Sequence, residues 1–243
     1  MTPSRFRRIG IIALVLGSVL GSVLGSGCAA STTKPPKQPI PVPVERQRPA
    51  APDDVVRLVG WGEARAVMLA SGRWSSADGP AAPAFDAFVL ERRSDDDKEV
   101  LLAVVRDGGL AGALPLALIK SSRGRPRSVV ATLGELALGR GERALRIDVT
   151  TFEGGGAQLF AVKTTLVALT ADRPVRVFDR LVESGDRVRD RRAVLTVKDV
   201  DGDGTPELVV EERETGAGGT RTLTYRRDRE GRFVTRDRSI FDD

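Results

Sequence analysis

From Ala84 onward the chain is a succession of short apolar–polar alternations closed by turn residues, and that pattern points to antiparallel β structure. The best example is Arg143-Ala144-Leu145-Arg146-Ile147-Asp148-Val149-Thr150, whose period of two puts alternate side chains on opposite faces of a strand. Ser128–Leu138, Arg143–Phe152 and Gln158–Thr170 read as long strands, joined by the hairpin turns Gly139-Arg140-Gly141 and Glu153-Gly154-Gly155-Gly156. Ala84–Arg92, Glu99–Arg106, Val175–Glu183, Arg192–Lys198, Glu207–Glu214, Thr220–Arg227 and Arg232–Arg236 read the same way. Leu110–Ile119 is apolar but broken by Pro115 and reads as a weak strand. About ten short strands at regular spacing predict an all-β domain: an antiparallel sandwich, a barrel-like sheet or a propeller-like arrangement.

The region before Ala84 is of a different kind. Arg5-Phe6-Arg7-Arg8 is a positive n-region, and Ile9–Leu24 is uncharged and mostly apolar, so residues 1–27 have the layout of a secretory signal. Residues 28–52 carry Pro35, Pro36, Pro39, Pro41, Pro43, Pro49 and Pro52 among Ser, Thr, Lys and Gln, an extended spacer or a disordered tether. The folded domain is expected over 53–243. Within it, Asp53 or Asp54 would cap a short helix carrying Val55, Val56, Leu58 and Val59; Arg65–Leu69 suits a strand; Ser71–Pro83 reads as a loop. Trp61 and Trp74 read as packing residues.

Composition removes whole classes of chemistry. The chain has no histidine and one cysteine, Cys28. Histidine-dependent nucleophile systems, His- or Cys-rich zinc sites and an internal disulfide are therefore excluded. A metal would have to be held by oxygen. The formal charge of +5 owes three of its 38 basic residues to the signal segment, and the remaining 35 nearly balance 33 acidic ones. The arginine groups Arg123/Arg125/Arg127, Arg187/Arg189/Arg191/Arg192 and Arg226/Arg227/Arg229/Arg232 are interspersed with acids and read as solvated faces and turns, with no nucleic-acid partner implied.

The most specific stretch is Asp199-Val200-Asp201-Gly202-Asp203-Gly204-Thr205-Pro206-Glu207-Leu208. Carboxylates at Asp199, Asp201, Asp203 and Glu207, with a glycine where the backbone turns, suit a hard cation that takes oxygen ligands. Counted as an EF-hand, Asp199, Asp201, Asp203 and Gly204 fall at positions 1, 3, 5 and 6, but Val210 stands where the closing glutamate belongs. The flanks are also strand-like, so the run is no EF-hand. The bland alternative is an Asp-Gly hairpin turn.

The run resembles the Asp-x-Asp-Gly-Asp-Gly-x-Pro-Asp/Glu-Leu loops of FG-GAP and VCBS-type repeats, found in extracellular β-propellers and bacterial surface proteins. The resemblance covers about twenty residues and one copy. It implies Ca²⁺ held by the side chains of Asp199, Asp201, Asp203 and Glu207 and the backbone carbonyl of Thr205, on a loop joining two strands. Leu24-Gly25-Ser26-Gly27-Cys28 is similar to a bacterial lipoprotein lipobox, with Gly25 where that family usually has leucine and Leu24 one place further back. This implies lipidation of Cys28, a membrane anchor and a cell-envelope location; the alternatives are cleavage after Ala30, with secretion, or an uncleaved anchor.

The expected function is a non-enzymatic, calcium-stabilised binding or structural module of the envelope, with an envelope or secreted protein as partner. A periplasmic inhibitor or immunity lipoprotein acting on a cell-wall hydrolase is the alternative, and a carboxylate-based hydrolase a more distant one.

Overall fold

The computed structural model describes residues 52–61, 66–75, 77, 84–94, 97–120, 127–154, 159–170, 173–185, 189–216 and 219–242. All fall within the compact unit Glu45–Asp243. The signal segment, Cys28, nearly all of the proline-rich segment and the arginines at 123, 125 and 187 lie outside the described residues. No helix among the described residues is long and apolar enough to cross a membrane.

Among the described residues one short helix, α1 (Pro52–Leu58), precedes twelve strands. These are β1 (Ala66–Ser75), β2 (Ala84–Ser94), β3 (Asp97–Arg106), β4 (Gly109–Ile119), β5 (Arg127–Gly139) and β6 (Glu142–Glu153). There follow β7 (Leu159–Leu169), β8 (Pro174–Gly185), β9 (Asp190–Lys198), β10 (Glu207–Glu214), β11 (Thr220–Arg227) and β12 (Phe233–Val234). Strands pair antiparallel in sequence order within two sheets, β1 to β4 and β5 to β12. The all-β expectation holds in its two-sheet form. The larger sheet is not closed into a barrel, because β5 and β12 are its two unpaired ends.

The sheets face each other over one core. Trp74, Phe85, Val89, Val100, Leu102, Val104 and Leu116 of the smaller sheet meet Val129, Ala131, Leu145, Ile147, Val149 and Val167 of the larger. On the other side of the small sheet, Val55 and Val56 of α1 and the nearby Trp61 cover Phe88, Leu90, Leu101, Ala103 and Val105. Strand β3 is therefore buried on both faces, which explains why Val100–Val105 is one apolar run instead of an alternation. The helix begins at Pro52, so Asp53 and Asp54 lie inside its first turn instead of capping it, and Val59 falls past its end; with Arg57 in the last turn, the two acids complement the helix dipole.

A second core lies inside the larger sheet. Leu138, Ala144, Leu166, Val177 and Phe178 from its first half pack against Leu208, Val210, Leu223, Tyr225 and Phe233 from its second. The sheet curls to bring them together, and the bend falls where β8 and β9 pair over only Glu183–Gly185 and Asp190–Arg192.

Three local expectations need correction. Gly109–Ile119 is a full strand: β4 is the edge of its sheet, and Pro115 sits at a register shift against β3, where the missing N–H costs no central ladder bond. Ser71–Ser75, expected in a loop, continues β1 because Trp74 pairs with Phe85 and closes the inter-sheet core. Arg232–Arg236 shrinks to the two residues of β12. The open β4 edge is covered in turn: Lys163 Nζ donates to the Leu116 carbonyl at 2.9 Å, and Arg176 donates to the Pro115 carbonyl.

Tyr225, the only tyrosine, meets Phe178 edge-on at 5.3 Å in the second core. Burial raises its phenol above the ordinary 10.0; Arg180 pulls the other way, and Glu212, Asp242 and Asp237 add to the rise. A raised pKa means the neutral phenol is favoured in the folded state. Its contribution to stability is full below pH 10 and is lost as pH climbs through the folded value. Absorbance at 295 nm reads this one group: native protein should titrate above pH 10 and urea-unfolded protein near it. Coincident titration curves would refute the burial argument.

Candidate metal centre at the β9–β10 loop

Strands β9 and β10 pair from Lys198–Glu207 to Arg191–Glu214, so residues 199–206 are the loop at the end of a regular hairpin. Their conformation depends on Gly202 and Gly204, at φ 76° and 81°, a region side chains other than glycine rarely adopt. Carboxylates then stitch the backbone. Asp199 accepts from Gly202 N–H at 2.7 Å through Oδ1 and from Gly204 N–H at 2.9 Å through Oδ2. Glu207 Oε2 accepts from Val200 N–H at 2.8 Å, and Asp203 Oδ1 from Thr205 N–H at 2.6 Å.

Three of the acids named from sequence converge. One oxygen each from Asp199, Asp201 and Glu207 lies within 4.8 Å of the others. Asp199 and Asp201 are exposed and Glu207 is buried, 4% accessible, so the group lies at the surface with one ligand rooted in the fold. Asp203 is not one of this converging group; its carboxylate holds Thr205 in place. An all-oxygen group of this kind suits a hard divalent cation.

Arg226, read from sequence as a solvated arginine, belongs to the site. Its Nη2 lies 3.1 Å from Asp201 Oδ2 and its Nε 3.9 Å from Glu207 Oε1. Three carboxylates and one guanidinium leave two negative charges, before Asp203 is counted. A signal for Arg226 existed: Leu208 pairs with Tyr225, so the next positions in register set Glu207 opposite Arg226 as a cross-strand ion pair. What the sequence lacked was the length of the β10–β11 turn that fixes this register.

The β5–β6 turn supports the loop from the side. A Cβ on Gly139, at φ 88°, would come 2.5 Å from Pro206 Cγ, and one on Gly204 would come 3.0 Å from Arg140 Nη2. Glycine at 139 thus permits both the left-handed turn and the close approach of Pro206. Arg227 and Glu142 add an ion pair at 2.7 Å between β11 and the same hairpin. The acidic loop, at the tip of the β9–β10 hairpin, is therefore packed against the β5–β6 hairpin, which is distant in sequence.

No family model, no curated protein and no solved structure matches this chain.

Proposed function

We propose that the chain is an envelope-anchored β-domain whose hairpins are clipped together by calcium, working as a binding or structural module and not as a catalyst. The observation that carries this reading is the convergence of Asp199, Asp201 and Glu207 to within 4.8 Å on a glycine-turned strand connection. The surplus of two negative charges over Arg226 favours a divalent ion. The wedge of Pro206 against Gly139 supports a mechanical role, since closing the loop would also fix the β5–β6 hairpin. Calcium in the extracytoplasmic space fits the signal layout of residues 1–27 and the proline-rich segment that follows.

Anchoring rests on Cys28, the single thiol, placed directly after the apolar segment. Mass spectrometry of the membrane-associated protein from a bacterial host should find a mature N-terminus at Cys28 carrying a diacylglyceryl thioether. An unmodified chain beginning at Ser31 would overturn the anchor.

A further inference from the structure

A second feature, independent of the acidic loop, lies at the end of the sandwich between the β3–β4 and β7–β8 connections. It is a cavity of about 310 Å³ lined by Phe85, Leu110, Ala111 and Leu169 with Arg106, Asp107, Thr170 and Arg173 at its polar side. That volume is at the small end of ligand-binding sites, and the mixture of an apolar floor with a few charged groups is their usual make-up.

The arginines are poised for a ligand. The Arg106 guanidinium carbon stands 5.6 Å from the centroid of the Phe85 ring, a cation–π contact that holds it over the floor. Its Nε meets Asp107 at 3.4 Å, an exposed pair that leaves both terminal nitrogens of Arg106 without a partner among the described residues. The Arg173 guanidinium likewise has no partner among the described residues; only its carbonyl is engaged, accepting from Thr170 N–H at 3.1 Å and Thr170 Oγ1 at 3.0 Å. Among the described lining residues, two guanidiniums and one carboxylate carry a net charge of +1. A monoanion neutralises it, and guanidinium forks match a carboxylate bidentately.

We propose that this cavity binds a small soluble carboxylate with an apolar body. The carboxylate sits on Arg106 and Arg173, and the body covers Leu110 and Leu169.

Behind Phe85, at 6.3 Å between ring centroids, is Trp74, whose buried indole N–H has no acceptor among the described residues. Trp74 is thus a built-in reporter, and Trp61→Phe makes it the sole tryptophan. In the full chain carrying that change, 4-phenylbutyrate should shift Trp74 emission saturably. The dissociation constant should be on the order of 10⁻⁴–10⁻³ M, the range open to a ligand of about a dozen heavy atoms. Calorimetry on the unaltered chain should give the same constant. Arg106→Gln and Arg173→Gln should each weaken binding about tenfold or more, as expected for a charge-assisted fork. The uncharged 4-phenylbutyramide should bind at least that much more weakly. Both arginines are exposed, so unchanged melting temperatures will show that the variants fold. Absence of saturable binding, binding indifferent to both substitutions, an amide that binds as well as the acid, or preference for phosphatidylglycerol vesicles over the free acid would each overturn the proposal.

Discussion

Saturating calcium should raise the melting temperature of this chain by about 3–11 °C, and Asp199→Ala and Asp201→Ala should each abolish the rise. The figure follows from linkage. An extracellular-type site has a dissociation constant of about 10⁻⁴–10⁻³ M, so 10 mM calcium stabilises the folded state by roughly 1.4–2.7 kcal/mol. A domain of this size shifts by about 2–4 °C per kcal/mol. Asp199 is the more damaging site, because it also receives the Gly202 and Gly204 N–H groups and so shapes the loop without metal. Asp203 separates two ligand sets. The family resemblance makes it a ligand, whereas in the fold its carboxylate lies outside the converging trio and caps Thr205. Asp203→Ala should therefore retain most of the calcium shift. Arg226→Gln should enlarge it, since the guanidinium beside Asp201 and Glu207 competes for the same oxygens. Scanning calorimetry with calcium and with chelator decides the matter. If the two traces coincide, the loop is only a turn and the calcium clip is refuted.

What could be read ahead of the structure was what depends on local pattern. The alternation of β5, β6 and β10 and the glycine turns between strands need only the period of two and left-handed backbone positions. A two-sheet sandwich was among the arrangements expected, but the point where one sheet gives way to the other was not legible. Every strand but β4 pairs antiparallel with the next, and nothing in the sequence of 119–127 marks that β4 and β5 are the exception. Pro115 misled for a related reason: a proline forbids a central strand, but only the sheet order shows that β4 is an edge. At the candidate site the acids and Gly204 were visible because they are contiguous. Arg226 and the Gly139–Pro206 contact were not, because register and sheet curl bring them there from elsewhere in the chain. The carboxylate at Glu212 belongs with these, and it carries the other large effect.

Glu212→Ala should cost about 2–4 kcal/mol, or roughly 5–15 °C in melting temperature for a domain of this size. On β10 the core face presents Leu208, Val210 and then Glu212, so alternation alone would ask for an apolar side chain. Glu212 is instead 2% accessible and ties down the C-terminal segment, accepting from Ser239 Oγ at 2.5 Å and from Ile240 N–H at 3.0 Å. Around that clasp, Arg191 donates to the Ile240 carbonyl at 2.6 Å, Arg180 pairs with Asp242 at 2.8 Å and Arg221 donates to the Arg238 carbonyl at 3.0 Å. The arginine contacts involve at least partly exposed groups and are individually weak; the buried carboxylate is the contact that holds two donors of the tail, Ser239 Oγ and Ile240 N–H, at once. Glu212→Leu separates the two roles of the position. It restores the apolar alternation with Leu208 and Val210, so the second core should hold much of its stability. The tail should still come free, and hydrogen exchange at Ile240 and Phe241 should rise to the rate of an unstructured segment in both variants. Retained protection at those amides after Glu212→Leu would mean that the arginines alone hold the tail. A melting temperature within about 1 °C of the parent after Glu212→Ala would contradict the magnitude expected for a buried, doubly hydrogen-bonded carboxylate.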